Sequence, residues 1–383
     1  MIGSFSKDKI ASIDANMSDS NIEARKGRQC KDHLFMVHGI MNSVIQGKKE
    51  CIDIQIYDLQ QAFDSLWLED CMIDLTDTID SDKIALLYES SVNNFVAINT
   101  PHGLTQRKPI RSLVQQGGTW GPVMCSNSVD TIGKQVWKND NVSYLYKGSV
   151  KIIPLAMIDD IIAFSKCGIG SLTLNTIINS KIELKTLRFH TPDSNGWSKC
   201  HKLHVGTHSK ACPILQVHGN IIEEVSEDDY QGDILSADGS NRKNVQKRIN
   251  RGFGIIAEIV NILDQISFGQ HYFEIALMLR SSLLLSSILN NVEVIYGLSK
   301  VDLAKFDDID LILMRKLFKA PFSTPKEAFY LELGIIPPSI LVKSRRNTSL
   351  TFIIWSTKTS PKCCPGSFGL RFGISVRMIG SPQ

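Results

Sequence analysis

The chain has 383 residues, of which 43% are hydrophobic and 21% charged, with a formal net charge of +3. This composition is that of an ordinary folded protein of two or three compact units, not of a disordered chain. A charge so close to balance does not by itself indicate a nucleic-acid partner. The basic residues cluster near the two ends, at Arg25, Lys26, Arg28 and Lys31 and at Lys343, Arg345 and Arg346.

Cysteine usage and the start of the chain bear on location. The nine cysteines include no Cys-x-x-Cys pair, and an odd number scattered over a long chain favours reduced, intracellular thiols. Met1 is followed by a polar stretch, so we expect no signal peptide. The best candidate for a membrane span, Ala276–Val294, carries Arg280 and several Ser and Asn residues, which favours a core helix. We therefore expect an intracellular protein, nuclear or cytoplasmic, with no transmembrane segment.

The first elements in chain order are a helix and a strand. Apolar residues at helical spacing predict an amphipathic helix over Lys31–Gln46. Ile52–Tyr57 alternates with period two, which predicts a strand that leads into Asp58. A carboxylate at the end of a central strand is a common position for a catalytic ligand. The alternative is a helix cap, a role that Asp58 and Asp64 could both fill.

A helix is predicted next over Lys83–Asn93, followed by a β-hairpin around Pro101-His102-Gly103. The Gly-rich loop Val114–Pro122 then leads into a helix over Pro122–Val136. Glycines before a helix N-terminus let a ligand approach the backbone, and the exposed N–H groups there favour anions such as phosphate. Gly-rich loops often only turn the chain, which is the alternative here.

Two adjacent carboxylates, Asp159 and Asp160, interrupt the apolar stretch Lys151–Ser165. Its isoleucines and Pro154 favour a buried hairpin over a helix. Two acids in an apolar hairpin are costly unless a cation compensates their charge, as in a Mg²⁺ site built from paired carboxylates. A turn is the other interpretation, because Asp is common in turns.

The remaining patterns separate a mixed block from a helical one. A helix is predicted over Ser171–Leu187, and short strands over Leu203–Val205 and Ile214–His218, so the central block indicates an α+β fold with an antiparallel sheet backed by helices. Beyond Asp238-Gly239 every predicted element is a helix. These helices span Lys243–Asp264, Tyr272–Asn291, Leu303–Lys319 and Pro325–Leu333, with one more after Pro337-Pro338. We predict no secondary structure from about Thr357 onward.

Five short motifs occur in a fixed order. They are Tyr57-Asp58-Leu59-Gln60-Gln61-Ala62-Phe63-Asp64-Ser65, Gln116-Gly117 followed by Pro122, Met157-Ile158-Asp159-Asp160, Lys199-Cys200-His201-Lys202-Leu203-His204-Val205-Gly206 and Asp229-Tyr230-Gln231-Gly232-Asp233. Over roughly residues 15–350 this series resembles the palm motifs of reverse transcriptases of non-LTR (LINE-like) retrotransposons. The order of the motifs is more specific than any one of them.

The resemblance implies a right-hand polymerase-like palm followed by an all-helical thumb and C-terminal region. The copy would be partial, lacking the endonuclease and part of the fingers. The implied division is partial fingers (1–48), reverse transcriptase palm (49–215), primer grip and thumb (216–300), a helical C-terminal region (301–356) and an irregular tail (357–383).

The resemblance also implies roles for individual residues. Asp58, Asp159 and Asp160 would bind two Mg²⁺ ions, or Mn²⁺, about 3.5–4 Å apart. Lys199 would be a proton donor to pyrophosphate, with Lys202 as a rival. The further residues are Phe63 as the gate against ribonucleotides, Gln116 and Gly117 in the nucleotide pocket, Arg25 and Lys26 as substrate-binding residues of the fingers, and Tyr230 and Gly232 in the primer grip. The partners would be an RNA template, a DNA primer and a dNTP.

Three positions depart from the family's usual residues without removing a metal ligand: Met157 in place of Tyr or Phe, Gly121 in place of Ser, and Gln231 in place of Leu. One alternative function is a catalytically inactive retroelement remnant that only binds nucleic acid. Another is a helical scaffold protein in which the Asp-Asp hairpin is only a turn.

A separate pattern offers zinc ligands. It is the evenly spaced set Cys200, His204, His208 and Cys212. Two Cys and two His are tetrahedral Zn²⁺ ligands, but this spacing differs from that of known zinc fingers.

Overall fold

The computed structural model describes residues 13, 14, 16–18, 21 and 29–347. Within the last range, the residues left out are 48–50, 77, 93–94, 110–119, 140–141, 147–149, 186, 195, 208–212, 267–268 and 270. The chain divides into two units, Met1–Ser240 and Asn241–Gln383. The first unit is mixed α and β, and the second is helical, as the change in sequence character predicts.

Six helices and fifteen strands are described in the first unit. The helices are α1 (Cys30–Gln46), α2 (Ala62–Ser65), α3 (Leu68–Leu75), α4 (Ser81–Val92), α5 (Gly121–Trp137) and α6 (Ile169–Leu184). The strands are β1 (Cys51–Asp58), β2 (Phe95–Val96), β3 (Asn99–Thr100), β4 (Gly103–Leu104), β5 (Lys108–Pro109), β6 (Leu145–Tyr146), β7 (Val150–Lys151), β8 (Leu155–Met157), β9 (Asp160–Lys166), β10 (His201–Gly206), β11 (Gln216–Val217), β12 (Asn220–Ile221), β13 (Glu223–Val225), β14 (Glu227–Tyr230) and β15 (Asp233–Ser236). Each helix and strand that periodicity predicts in this unit coincides with one of these, whereas α3, β6, β7 and β12 to β15 were not predicted.

The central sheet has five strands in the order β13-β10-β1-β9-β8. Strand β1 is antiparallel to both β10 and β9, and β9 is antiparallel to β8. The expectation of a wholly antiparallel sheet is wrong at one edge, because β10 and β13 are parallel. Parallel neighbours need a crossover of a dozen or more residues, and the chain between Gly206 and Glu223 is long enough to provide it.

Side chains of β1 alternate between the two faces of the sheet, and both faces are covered. The three isoleucines of the strand are buried on the face that Asp58 continues, and Asp53, Gln55 and Tyr57 are buried on the other. A buried amide needs hydrogen-bond partners. Nε2 of Gln55 donates to the backbone oxygen of Ser171 at 2.9 Å, so the second face is covered by α6.

The second unit is built from helices alone within its described residues. They are α7 (Arg242–Asp264), α8 (Tyr272–Leu279), a π-helical segment (Arg280–Leu285), α9 (Ser286–Ile288), a 3₁₀ turn (Val292–Val294), α10 (Lys300–Phe318), α11 (Lys326–Glu332) and α12 (residues 338–347). The helices predicted here are confirmed, but the π-helical interruption of the second one was not predicted.

The π-helical segment begins at Arg280, whose side chain is buried. Its Nε and Nη2 each donate to the carboxylate of Asp310 in α10 at 2.7 Å, and the Tyr330 hydroxyl donates to the same carboxylate at 3.3 Å. Among the described residues, Tyr272–Val294 has the length and composition that could cross a membrane, a test that core helices also pass. The buried ion pair of Arg280 favours a core helix.

Candidate active site

Two of the predicted acids face each other where β1 ends and β9 begins. Asp58, the last residue of β1, is paired directly with Asp160, the first residue of β9. Directly opposed residues of antiparallel strands point to the same face, with Cβ atoms about 4.5–5.5 Å apart. Like charges in this arrangement are destabilising, so the structure brings two carboxylates together against their own repulsion.

Asp159 lies in the turn between β8 and β9. Because Met157 pairs with Asp160, the turn consists of Ile158 and Asp159. The backbone N–H of Leu59 donates to the backbone carbonyl oxygen of Asp159 at 2.9 Å, which connects this turn to the end of β1. Ile158 has a φ of 54°, an unusual conformation for a β-branched residue. Backbone strain of this kind is found at functional sites, and here it lies beside the converging acids.

The pKa values of Asp159 and Asp160 are raised first by burial and then by the charges of the neighbouring carboxylates. Desolvation, together with the charges of Asp159 and Asp58, raises the pKa of Asp160 to about 6, while Lys199 opposes the shift. Desolvation also raises the pKa of Asp159, and the charge of Asp58 adds to it. A bound cation would stabilise the charged forms of these carboxylates, which burial and the neighbouring negative charges disfavour. The site therefore has the electrostatics of a cation site.

Lys199 extends the acidic pair into a row. Its Nζ lies 3.1 Å from Oδ2 of Asp58, and the pairing of β10 with β1, continued beyond His201, sets Lys199 opposite Asp58. Its side chain is 46% exposed, so the ammonium group reaches into the site from solvent. The rival Lys202 lies on the other face of the sheet, where its Nζ pairs with Oε2 of Glu224 at 2.7 Å.

The hairpin of β14 and β15 approaches the acidic turn. Its two turn residues, Gln231 and Gly232, have φ values of 50° and 87°, as a tight two-residue hairpin requires. Nε2 of Gln231 donates to Sδ of Met157 at 3.4 Å. Tyr230 is buried, and burial, followed by the charge of Asp160, raises the pKa of its hydroxyl well above the usual value.

His33 of α1 is a neighbour of this site that the sequence analysis missed. Its Nδ1 lies 3.3 Å from the hydroxyl of Tyr230. His33, like His38, lies among the apolar residues on the buried side of α1. A histidine at such a position was a visible signal in the sequence, but the partner of His33 lies about two hundred positions further along the chain.

The other predicted site residues are placed only in part. Phe63 lies in α2, directly after β1, and is half-buried against the core of the first unit. Four of them fall outside the described part of the chain: Arg25, Lys26, Gln116 and Gly117. The predicted zinc ligands His208 and Cys212 and the tail from Thr357 also fall outside it.

The donor set fits a hard divalent cation. Mg²⁺ binds oxygen ligands and is commonly held by one or two carboxylates together with substrate phosphates, and Mn²⁺ accepts the same ligands. Asp58, Asp159 and Asp160 offer carboxylate oxygens from two adjoining strand ends. The raised pKa values of Asp159 and Asp160 are the observation that a cation would reverse.

No protein-family model and no curated protein matches the chain. Among solved structures, it is similar to a telomerase from Candida albicans in complex with a TWJ fragment of telomeric RNA, at 10% identity and TM-score 0.45, covering 85% of this chain and 57% of that one. It is also similar to apo telomerase from Candida tropicalis, at 12% identity and TM-score 0.41, covering 81% and 50%. A form of the Candida tropicalis telomerase that is truncated from the C-terminal domain is similar at 10% identity and TM-score 0.37, covering 61% of this chain and 45% of that one. The chain spans about half the length of these telomerases, and at such scores the likeness assigns no activity.

Proposed function

We propose that the chain contains the palm and thumb of an RNA-directed DNA polymerase of the non-LTR retrotransposon class. The row of Lys199, Asp58 and Asp160, with Asp159 in the adjoining turn, carries the proposal. These residues come from three separate sequence motifs and meet at one end of one sheet. A helical scaffold protein would not require that meeting.

In this proposal Asp58, Asp159 and Asp160 hold two Mg²⁺ ions, or Mn²⁺. The bound ions would activate the 3′-hydroxyl of a DNA primer and stabilise the leaving pyrophosphate. The carboxylates fix where the primer end and the triphosphate of the dNTP meet. Lys199, whose side chain lies beside Asp58, would donate a proton to the leaving pyrophosphate, as a general acid does.

The remaining residues would bind and select the substrates. Phe63 would lie under the sugar and leave no room for a 2′-hydroxyl, and Tyr230 and Gly232 would hold the primer. The residues outside the described part of the chain keep the roles that the resemblance implies: Gln116 and Gly117 in the nucleotide pocket, and Arg25 and Lys26 in the fingers.

The proposed domain division and location follow from the same identification. Residues 1–48 would be partial fingers, 49–215 the palm, 216–300 the primer grip and thumb, and 301–356 the helical C-terminal region. An intracellular location, nuclear or cytoplasmic, is part of the proposal. In its support, the six described cysteines form no disulfide with one another.

Primer extension on an RNA template with Mg²⁺ tests the proposal. We expect the full chain to extend the primer. Asp58→Asn and Asp159→Asn should each reduce the rate by more than about 100-fold, because loss of a direct metal ligand should cost more than loss of an outer-shell partner. Asp64→Asn is the matched control, because Asp64 is an exposed acid six positions after Asp58. It should extend at the wild-type rate.

Two outcomes would count against a polymerase. One is a folded wild-type chain that extends no primer, and the other is an Asp58→Asn variant that is as active as Asp64→Asn. Filter binding of labelled RNA and primer–template duplex would then decide whether the chain is an inactive remnant that still binds nucleic acid.

A further inference from the structure

A second group of metal-binding side chains lies on the central sheet, outside the proposed polymerase site. Cys51, Cys167 and His204 each place one ligand atom within 4.8 Å of the others. Sγ of Cys167 lies 3.7 Å from Nδ1 of His204, and the same nitrogen lies 2.8 Å from Oδ1 of Asp53. Two thiols, an imidazole and a carboxylate therefore converge from three neighbouring strands.

Strand register explains this convergence. Asp53 of β1 is directly opposite His204 of β10. Cys51 lies two residues before Asp53 and so shares its face. The pairing of β1 with β9, continued by one position beyond the last paired residue, sets Cys167 opposite Cys51. The four side chains form two adjacent rows on one face of the sheet.

This cluster is separate from the acidic site. Asp53 precedes Asp58 by five positions, which is about 17 Å along an extended strand. The separation is an odd number of residues, so the two groups lie on opposite faces of the sheet as well as towards opposite ends of β1.

We propose that Cys51, Cys167, His204 and Asp53 bind one Zn²⁺ ion, which ties the three central strands of the first unit together. Thiolates and imidazole select Zn²⁺, in contrast to the hard oxygen ligands of the acidic site. Zinc–ligand bonds of about 2.0–2.3 Å in a tetrahedron separate neighbouring ligand atoms by roughly 3.3–3.8 Å. The 3.7 Å between the Cys167 sulfur and the His204 nitrogen fits that geometry. The 2.8 Å between the same nitrogen and Oδ1 of Asp53 is a hydrogen-bond distance, which would lengthen when the ion replaces the proton.

Burial also fits a structural ion. Asp53 is 0% exposed and His204 is 6% exposed, so their positions are fixed by the packed sheet. Oδ2 of Asp53 is buried without a hydrogen-bond partner in the described part of the chain, which leaves an acceptor oxygen for an ion. Cys51 and Cys167 are only partly buried, so an ion can reach the site from solvent. Both thiols would lose their protons on binding.

The evenly spaced pattern from Cys200 to Cys212 is a competing assignment for His204. Cys200 precedes His204 by four positions, about 13 Å along an extended chain, which is too far for both to bind one ion. The sulfur of Cys200 instead lies 3.6 Å from the backbone oxygen of His190. The structure assigns His204 to the cluster with Cys51 and Cys167.

Metal content separates the two assignments. We expect the full chain, purified with zinc in the medium, to carry one ion per molecule by elemental analysis. The double variant Cys51→Ser/Cys167→Ser should lose at least about nine-tenths of that zinc, since each thiolate is a direct ligand. Cys200→Ser is the matched control and should keep it. A double variant that keeps its zinc, or a wild-type chain that carries none, would overturn the proposal.

A second measurement needs no substitution and so does not depend on whether a variant folds. The unmodified chain is alkylated with and without a zinc chelator, and each cysteine is followed by mass spectrometry. Zinc should slow labelling of Cys51 and Cys167 by at least about tenfold, because bound thiolates are shielded. Cys30, which is partly buried elsewhere, should label equally in both samples. Equal labelling of all three cysteines with and without chelator would also refute the site.

Discussion

At the scale of single residues, Asp160 shows why the acidic site is costly without a ligand. It is half-buried and directly opposite Asp58, so its charged form is disfavoured in the folded chain. The groups that face it are Asp58 and Asp159, which repel its charge, and Lys199, which attracts it. The cost lies in the ionised state alone, so it depends on pH.

We predict that without divalent cations this site destabilises the folded chain at neutral pH. The pKa of Asp160 is 3.8 in the unfolded chain and about 6 in the folded one. The penalty is therefore absent below pH 4, grows between pH 4 and 6, and is fully present above 6. After allowance for solvent screening it amounts to about 1–2 kcal/mol.

Urea unfolding in the presence of a chelator measures this penalty. Asp160→Asn removes the charge and should raise the free energy of unfolding at pH 7.5 by about 1–2 kcal/mol, but change it little at pH 4. Added Mg²⁺ should stabilise the wild-type chain more than the variant at pH 7.5, because the variant has lost one of three carboxylates. Parallel pH profiles of the two proteins would show that Asp160 carries no such penalty.

At the scale of elements, α7 offers a test of packing within one helix. A Cβ added at Gly252 would lie 3.0 Å from Cγ1 of Ile309 and 3.1 Å from Cγ2 of Ile288, both in the core of the second unit. A Cβ added at Gly254 would meet nothing within 4 Å. The two glycines are two positions apart in the same helix, so they share the same backbone conformation.

We expect opposite effects from alanine at these positions. Gly254→Ala should stabilise the chain by about 0.5–1 kcal/mol, because alanine loses less backbone entropy in a helix. Gly252→Ala should destabilise it by about 1 kcal/mol, because overpacking outweighs the same gain. Chemical unfolding of both variants measures the difference. Equal stabilisation by the two substitutions would mean that the isoleucines move aside without cost.

The elements also show what could be predicted from the sequence. Period-two and helical patterns located β1 and the long helices, because the apolar face of each element is formed by residues close in sequence. The parallel pairing of β13 with β10 was not predicted, since no local pattern sets the direction of an edge strand. Arg280 was visible as a polar residue in an apolar stretch, but its partner Asp310 lies thirty positions further on in another helix.

The two candidate sites differ in the same respect. Asp58, Asp159 and Asp160 were found together because their motifs, in order, resemble those of a known family, and not because their spacing shows contact. Cys167 belongs to none of these motifs, and the resemblance gives His204 no metal-binding role. Only the register of β9, β1 and β10 brings them to Cys51 and Asp53. Sequence spacing instead suggested Cys200 as a partner of His204, which four residues of extended chain exclude.

At the scale of the whole molecule, each unit has its own hydrophobic core. Among the described residues, the core of the second unit contains twenty buried residues between Val245 and Val342. A contiguous core of this kind allows a unit to fold by itself. We predict that residues 241–347, expressed alone, form a helical domain that unfolds cooperatively.

Circular dichroism of that fragment, followed through a thermal scan, checks the prediction. Gly252→Ala should lower the midpoint in the fragment as it does in the full chain, which would show that the native packing around α7 has formed. Helical signal that declines without a cooperative transition would mean that the second unit depends on the first for its structure.

The odd spacing between Asp53 and Asp58 makes the length of β1 more constrained than its composition. A deletion of one residue between them would bring both acids to the same face, and one of the two sites would lose its partners. A deletion of two residues would restore the faces but draw the sites together by about 7 Å. Among related chains, the residues between these two acids are therefore expected to vary in identity while their number stays constant.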